Sequence, residues 1–246
     1  MAQASSIKVW LGRIVNRQLR RRGYEVLPYG GKRGGPLFHY LWDEDQQFVR
    51  LSREIVGRTL VDKVRCFMLY QLVHNALRLN GDAAEIGVYK GGTARLLAKT
   101  LAQTAAKTLH LFDTFAGMPE TDAARDLHGK GDFNDTSLAD VQAFLHDCPN
   151  VDFHPGFFPA TAGPIETAQF CFVHVDVDIY RSVLDCCRFF YPRLVTGGVM
   201  VFDDYGFFSC PGAKQAVDEF FAAKPEHVIY LPTGQCMIIK QPAQAE

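Results

Sequence analysis

AAEIGVYKGGTARLLAKTL (83–101) reads as a strand, a glycine turn and a helix in immediate succession. Ala83 to Tyr89 is a short apolar run, as expected of a strand covered on both faces. Gly87, Gly91 and Gly92 interrupt it, and apolar residues then recur at helical spacing to about residue 104. The alternation continues outward. LHLFD (109–113), VDFHP (151–155), FCFVHVD (170–176) and GVMVFDD (198–204) are further strands, with helices near 137–147, 180–194 and 211–223. Before them, VDKVRCFMLYQLVHNALRL (61–79) is a long amphipathic helix. Strands alternating with helices imply right-handed crossovers and a parallel sheet with helices on both faces. HVIYLPTGQCMIIK (227–240) differs, because two apolar runs meet across Pro232-Thr233-Gly234-Gln235. The expected fold is therefore α/β, with a mostly parallel sheet of seven strands that ends in an antiparallel hairpin.

At 246 residues the chain suits one α/β domain with additions, and 48% hydrophobic against 22% charged residues favours a packed core over disorder. A net charge of −1 gives no general attraction to nucleic acid. The seven cysteines are odd in number and include no C-x-x-C pair, so neither a disulfide framework nor a zinc knuckle is expected. No run approaches twenty apolar residues and no signal-peptide core is present, so a reduced, cytoplasmic protein without a transmembrane segment is expected. Residues 5–22 place Ile7, Trp10, Leu11, Ile14, Val15 and Leu19 at helical spacing among basic residues. This helix suits a lid or subunit contact more than a membrane surface, although basic amphipathic helices do bind anionic lipid. YGGKRGGP (29–36) reads as a loop. Residues 1–58 are expected to form a helical N-terminal extension, and residues 59–246 the ligand-binding domain.

In open α/β sheets, ligands sit beyond the carboxyl ends of the strands. The first strand leads into Glu85-Ile-Gly87-Val-Tyr89-Lys-Gly91-Gly92-Thr93, a G-x-x-x-G-G spacing unlike the G-x-G-x-x-G that seats a dinucleotide pyrophosphate. Glu85 suits a cationic, amine-bearing group such as the methionine part of S-adenosylmethionine. Asp113 closes the second strand, where an acid accepts from ribose hydroxyls or caps the turn that follows. Ser137 opens S-L-A-D and reads first as a helix cap, then as an adenine contact. Gly156 and Phe157 follow the third strand at the edge expected for adenine.

Acids crowd the next two strand ends. Asp176 and Asp178 close one strand, and Asp203 and Asp204 close the other, with Tyr205-Gly206 breaking the second into loop. Such anions repel unless a cation lies among them. Hard oxygen donors select Mg²⁺, Mn²⁺ or Ca²⁺ over zinc. The structural alternative is that two of these acids cap helices or pair with Arg181 and Lys214. A metal explains alkyl transfer from a sulfonium to a hydroxyl, because a bound cation acidifies the hydroxyl and a nearby base takes its proton. Asp176 is the candidate base as well as a ligand. His174 and His154 are weaker candidates, since a lone strand histidine is more often a satisfied core residue.

Six blocks in order resemble the macrocin O-methyltransferase family: EIGVYKGGT (85–93), FDTFAGMPE (112–120), GDFNDTS (131–137), HVDVDIY (174–180), FDDYG (202–206) and CPGAKQAVDEFF (210–221). The resemblance runs from about Thr59 to Phe221 and implies a Rossmann-like class I methyltransferase. It implies Mg²⁺ held at Asp176, Asp203 and Asp204, with Asp176 also as base. It implies contacts to S-adenosylmethionine at Thr59, Glu85, Gly87, Tyr89, Asp113 and Ser137, to which the glycine turn adds Gly91. The implied acceptor is a sugar hydroxyl on a small molecule, and the implied assembly is a homodimer or higher homo-oligomer. A more distant likeness to catechol and caffeoyl-coenzyme A O-methyltransferases makes an aromatic acceptor the alternative, ahead of a non-catalytic S-adenosylmethionine-binding module. Ile179 stands where the catechol enzymes carry a lysine, so that base is not carried over.

Overall fold

The computed structural model describes residues 41–103 and 107–242. The candidate basic helix at 5–22 and the loop at 29–36 lie outside the described residues. The chain divides into two compact units, Met1–Glu44 and Asp45–Glu246. Of the first, a 3-10 turn at Leu41–Asp43 is described.

The second unit opens with α1 (Gln46–Glu54) and α2 (Lys63–Ala76). Aspartates fix both starts: the Asp45 side chain accepts from the backbone N–H groups of Gln47 and Phe48, and Asp62 does the same for Val64 and Arg65. Phe48 joins the two helices, its ring 4.9 Å from Phe67 and 5.4 Å from Tyr70. α1 packs with α2, and both belong to the unit that begins at Asp45.

Then follow β1 (Asp82–Ile86), α3 (Gly92–Leu101), β2 (Leu109–Asp113), α4 (Leu138–Phe144), β3 (Val151–Pro155) and β4 (Phe170–Val175). The chain closes with α5 (Tyr180–Phe190), β5 (Leu194–Phe202), α6 (Pro211–Phe221), β6 (Ile229–Tyr230) and β7 (Cys236–Ile239). They form a seven-stranded sheet in the order β3-β2-β1-β4-β5-β7-β6. β1 to β5 run parallel, while β7 pairs antiparallel with both β5 and β6. The order reverses between β1 and β4, which opens a crevice at their carboxyl ends.

β5 begins at Leu194, earlier than the apolar run from Gly198 suggests. Its pairing with β4 shifts between Phe170 and Phe172, and Gly197 adopts φ +80°, so glycine carries an irregular stretch that no periodicity reveals. One face of the sheet buries Phe112, Phe170 and Phe202 against α5 and α6. Phe190 of α5 is fully buried and meets Phe112, Phe158 and Phe170 at ring separations of 6.2, 5.4 and 5.0 Å. Truncation of such a ring to alanine costs about 3–5 kcal/mol. All seven cysteines are buried and unpaired, and burial pushes the Cys186 and Cys187 thiols up, as befits core residues.

Candidate active site

Ile86, Asp113 and Val175 end or nearly end neighbouring strands, and a cavity of about 290 Å³ opens beyond them. The turn after β1 is drawn tight by Asp113. One oxygen of its carboxylate accepts from the backbone N–H groups of Val88 (2.7 Å) and Tyr89 (2.8 Å), and the other from Phe115 (2.7 Å). Asp113 thus ties the ends of β1 and β2 together while lining the cavity. Gly87, at φ +89°, has no room for a side chain, because a Cβ would lie 1.7 Å from the backbone oxygen of Asp176.

Thr59, Gly87, Tyr89, Asp113, Gly156 and Phe157 all line the cavity. Three other sequence candidates stand behind it. Gly91 starts α3 at φ +83°, against Val141 of α4. Ser137 caps α4, its hydroxyl accepting from the Asp140 N–H. Glu85 is fully buried, and its Oε1 lies 2.9 Å from His174 Nδ1.

Asp176, Asp203 and Asp204 follow the ends of β4 and β5 and line the same cavity. One oxygen from each lies within 4.8 Å of the others. Neither Arg181 nor Lys214 neutralises them, since those cations pair with Asp185 and Asp218 on their own helices. Burial, then the neighbouring Asp203, pushes the Asp176 carboxyl well above the ordinary carboxylate range. Burial, Asp178 and Asp176 do the same to Asp204. Burial would also raise Asp203, but His174, Arg65 and Gln235 hold it below that range. Gln235 Nε2 donates to Asp203 Oδ1 at 2.8 Å, His174 Nε2 lies 3.6 Å from the same oxygen, and the Arg65 guanidinium pairs with Oδ2.

Asp178 turns away from this trio. It adopts φ +57°, held by its N–H to Asp204 Oδ2 at 2.9 Å, and its Oδ1 lies 3.3 Å from Cys210 Sγ and 3.7 Å from His128 Nε2. His174 does not line the cavity as a free base. Burial opposes its protonation, but Asp203 and Glu85 push the imidazole up to about 10, which favours the protonated form at neutral pH. His154 does not line the cavity and stacks on Phe112 with ring centroids 4.4 Å apart.

A macrocin O-methyltransferase family model matches residues 42–230, most of the chain and all of the cavity's strands. The chain belongs to that family. Mycinamicin III 3''-O-methyltransferase of Micromonospora griseorubida is 32% identical over 199 residues, covering 70% of this chain and 76% of that enzyme. The 8-demethyl-8-(2,3-dimethoxy-alpha-L-rhamnosyl)-tetracenomycin-C 4'-O-methyltransferase of Streptomyces olivaceus is 29% identical over 188 residues, 70% of this chain and 71% of that one. The structure of the O-methyltransferase NovP aligns with a TM-score of 0.67 at 25% identity, over 75% of this chain and 83% of that one. The protein is therefore an S-adenosylmethionine-dependent O-methyltransferase of Rossmann-like class I fold. Among the described residues, no helix is long and apolar enough to cross a membrane.

Arg65 and His128 line the cavity, and Gln235 stands behind Asp203, yet no local pattern in the sequence marks any of the three. Arg65 is one of the cations on α2, and its pairing with Asp203 depends on a strand far away in sequence. Gln235 read as a hairpin turn residue. His128 belongs to the segment between β2 and α4, where no periodicity marks a site, and it lines the cavity with Cys210 and Ser209.

Proposed function

We propose that this methyltransferase acts on a sugar hydroxyl of a small molecule, with a divalent cation, Mg²⁺ first, held by Asp176, Asp203 and Asp204. The observation that carries this reading is the convergence of three carboxylates at one end of the cavity, with Asp176 crowded enough to favour a proton or a cation. An all-carboxylate donor set fits a hard cation. The sugar rests on the relatives, one of which is named for a rhamnosyl-bearing acceptor.

S-adenosylmethionine supplies the methyl group on a sulfonium. Thr59, Gly87, Tyr89, Asp113, Gly156 and Phe157 hold it, while Glu85, Gly91 and Ser137 shape the strand and helix ends behind them. The cation, when bound, lowers the pKa of the acceptor hydroxyl. Asp176 takes the hydroxyl proton, the oxygen forms a bond to the methyl carbon, and the carbon–sulfur bond breaks to leave a methyl ether and S-adenosylhomocysteine. Asp203 stays ionised through its three partners and so remains a ligand throughout. We also propose that the enzyme is a homodimer or higher homo-oligomer, which sedimentation of the full chain tests.

The test is a panel of hydroxylated glycosides and catechols offered with labelled donor and read by mass spectrometry. Methylated glycosides support the reading, whereas methylation of vicinal phenols alone overturns the sugar assignment. EDTA should abolish turnover and Mg²⁺ restore it; activity indifferent to EDTA removes the cation. Asp176→Asn should lower kcat by about 10²–10⁴-fold while calorimetry shows S-adenosylhomocysteine still binding, and an unimpaired variant dismisses Asp176 as base.

A further inference from the structure

A second cluster of ligand-type side chains lies on β2 and β3, away from the cavity. His110 is the register partner of Asp152, and His154 is two residues further along β3, so all three project from one face of the sheet. His110 Nδ1 is 3.0 Å from His154 Nε2 and 3.7 Å from Asp152 Oδ2, and His154 Nε2 is 3.5 Å from that same oxygen. A triangle with these edges has a point about 2.0 Å from every corner, which matches the bonds Zn²⁺ makes to imidazole nitrogen and carboxylate oxygen. Neighbouring ligands of a tetrahedral zinc ion are about 3.3 Å apart, close to all three edges.

The surroundings fit as well. The other ring nitrogen of His110, Nε2, lies 3.4 Å from Asp82 Oδ2. In the tautomer with the His110 proton on Nε2, facing Asp82, the Nδ1 lone pair faces the cluster, the carboxylate–histidine arrangement that orients metal ligands. Both imidazoles are buried, whereas the Asp152 side chain is 58% exposed, so an ion can enter from solvent. Asp82 and Asp152 together balance a 2+ charge.

We propose that His110, His154 and Asp152 form a binding site for a divalent transition-metal ion of the zinc class, with Asp82 as the carboxylate that orients His110. Two imidazoles select such an ion over Mg²⁺ or Ca²⁺, which separates this site from the all-carboxylate trio. Three protein ligands leave a fourth position for water on the solvent side. Because β3 is an edge strand, the ion staples it to β2, three residues before Asp113.

The test is calorimetric titration of Zn²⁺ into the chelator-treated full-length protein in a large excess of Mg²⁺, with the melting temperature followed in parallel. The wild type should bind one equivalent and melt higher when loaded. Asp152→Asn, at an exposed position that leaves the fold intact, should weaken Zn²⁺ at least tenfold and remove the melting shift, and Asp82→Asn should weaken it about 10–100-fold. Co²⁺ in the wild type should give the intense visible absorption of a four-coordinate ion, and Asp152→Asn should not. Failure of Zn²⁺ to bind in excess Mg²⁺, or unchanged affinity in both variants, overturns the site.

Discussion

His174 and Glu85 face each other across β4 and β1, the imidazole Nδ1 2.9 Å from Glu85 Oε1, and both side chains are sealed from solvent. Burying either charge alone is costly, so each depends on the other. His174→Gln should therefore destabilise the protein by about 3–5 kcal/mol, because Glu85 is left buried without its cation. Chemical denaturation of wild type and variant at neutral pH checks this, and a cost near zero would mean that the imidazolium contributes nothing.

The same pair sets an alkaline limit. Burial opposes protonation, but Asp203 and Glu85 raise the folded-state imidazole to about 10, against about 6.5 in an unfolded chain. A group whose pKa is raised on folding contributes stability that is complete below the unfolded value. That contribution is lost as pH rises from about 6.5 through about 10. Melting temperatures of the chelator-treated protein should fall across that interval, and ¹⁵N NMR should show both His174 ring nitrogens protonated at pH 7. A neutral imidazole at pH 7 would remove this dependence.

Gly87→Ala tests the closeness of β1 to β4. The substituted Cβ would meet the Asp176 backbone oxygen at 1.7 Å, and φ +89° is strained for any L side chain. Moving Asp176 aside breaks the acidic trio, so the variant should lose about 2–4 kcal/mol of stability together with turnover. Wild-type stability and activity in Gly87→Ala would show that the turn can relax.

Much of this was readable beforehand because it is local. The glycine turn, the acids at strand ends and the hairpin each announce themselves within ten residues; of the four acids, Asp176, Asp203 and Asp204 bring an oxygen each within 4.8 Å of one another. What stayed hidden depends on partners distant in sequence. The Glu85–His174 pair requires β4 to lie beside β1, and strand order is not written in any single segment. Arg65 reaches Asp203 from a helix 138 positions away. Ser137 shows the converse, making the local cap that its residue type favours, whereas Asp113 combines a local bond to Phe115 with two to the distant Val88 and Tyr89.

Tyr191→Phe probes the far end of the core. The Tyr191 hydroxyl donates to Glu226 Oε2 at 2.6 Å, and Glu226 is 4% exposed. Burial would raise this carboxyl, yet the hydrogen bonds from Tyr191 and the Gln241 N–H hold it below its ordinary value. A depressed carboxyl contributes stability above its unfolded pKa, about 4.3, that disappears as pH falls through the folded value. The variant should cost about 1.5–3 kcal/mol at pH 7, and the difference from wild type should shrink at acid pH. A pH-independent difference, followed by denaturant unfolding, would assign the loss to packing instead.

Gln235→Leu tests whether the hairpin serves the chemistry. Gln235 is fully buried in the turn between β6 and β7, and its Nε2 donates to Asp203 Oδ1 at 2.8 Å. The side chain is fixed in turn, since its own Oε1 accepts from the Thr233 hydroxyl at 3.0 Å. Leucine keeps much of the volume but removes the donor that orients the carboxylate. Partners that orient metal ligands contribute about 10–100-fold to affinity, so Mg²⁺ should bind that much more weakly to the variant by calorimetry. S-adenosylhomocysteine, for which we propose the β1 and β2 side of the cavity, should bind as before. The loss of turnover should then be recovered by raising Mg²⁺, because the defect lies in occupancy rather than in proton transfer. Unchanged Mg²⁺ affinity, or turnover that no amount of Mg²⁺ restores, would mean that Gln235 braces the hairpin and leaves the orientation of Asp203 to His174 and Arg65.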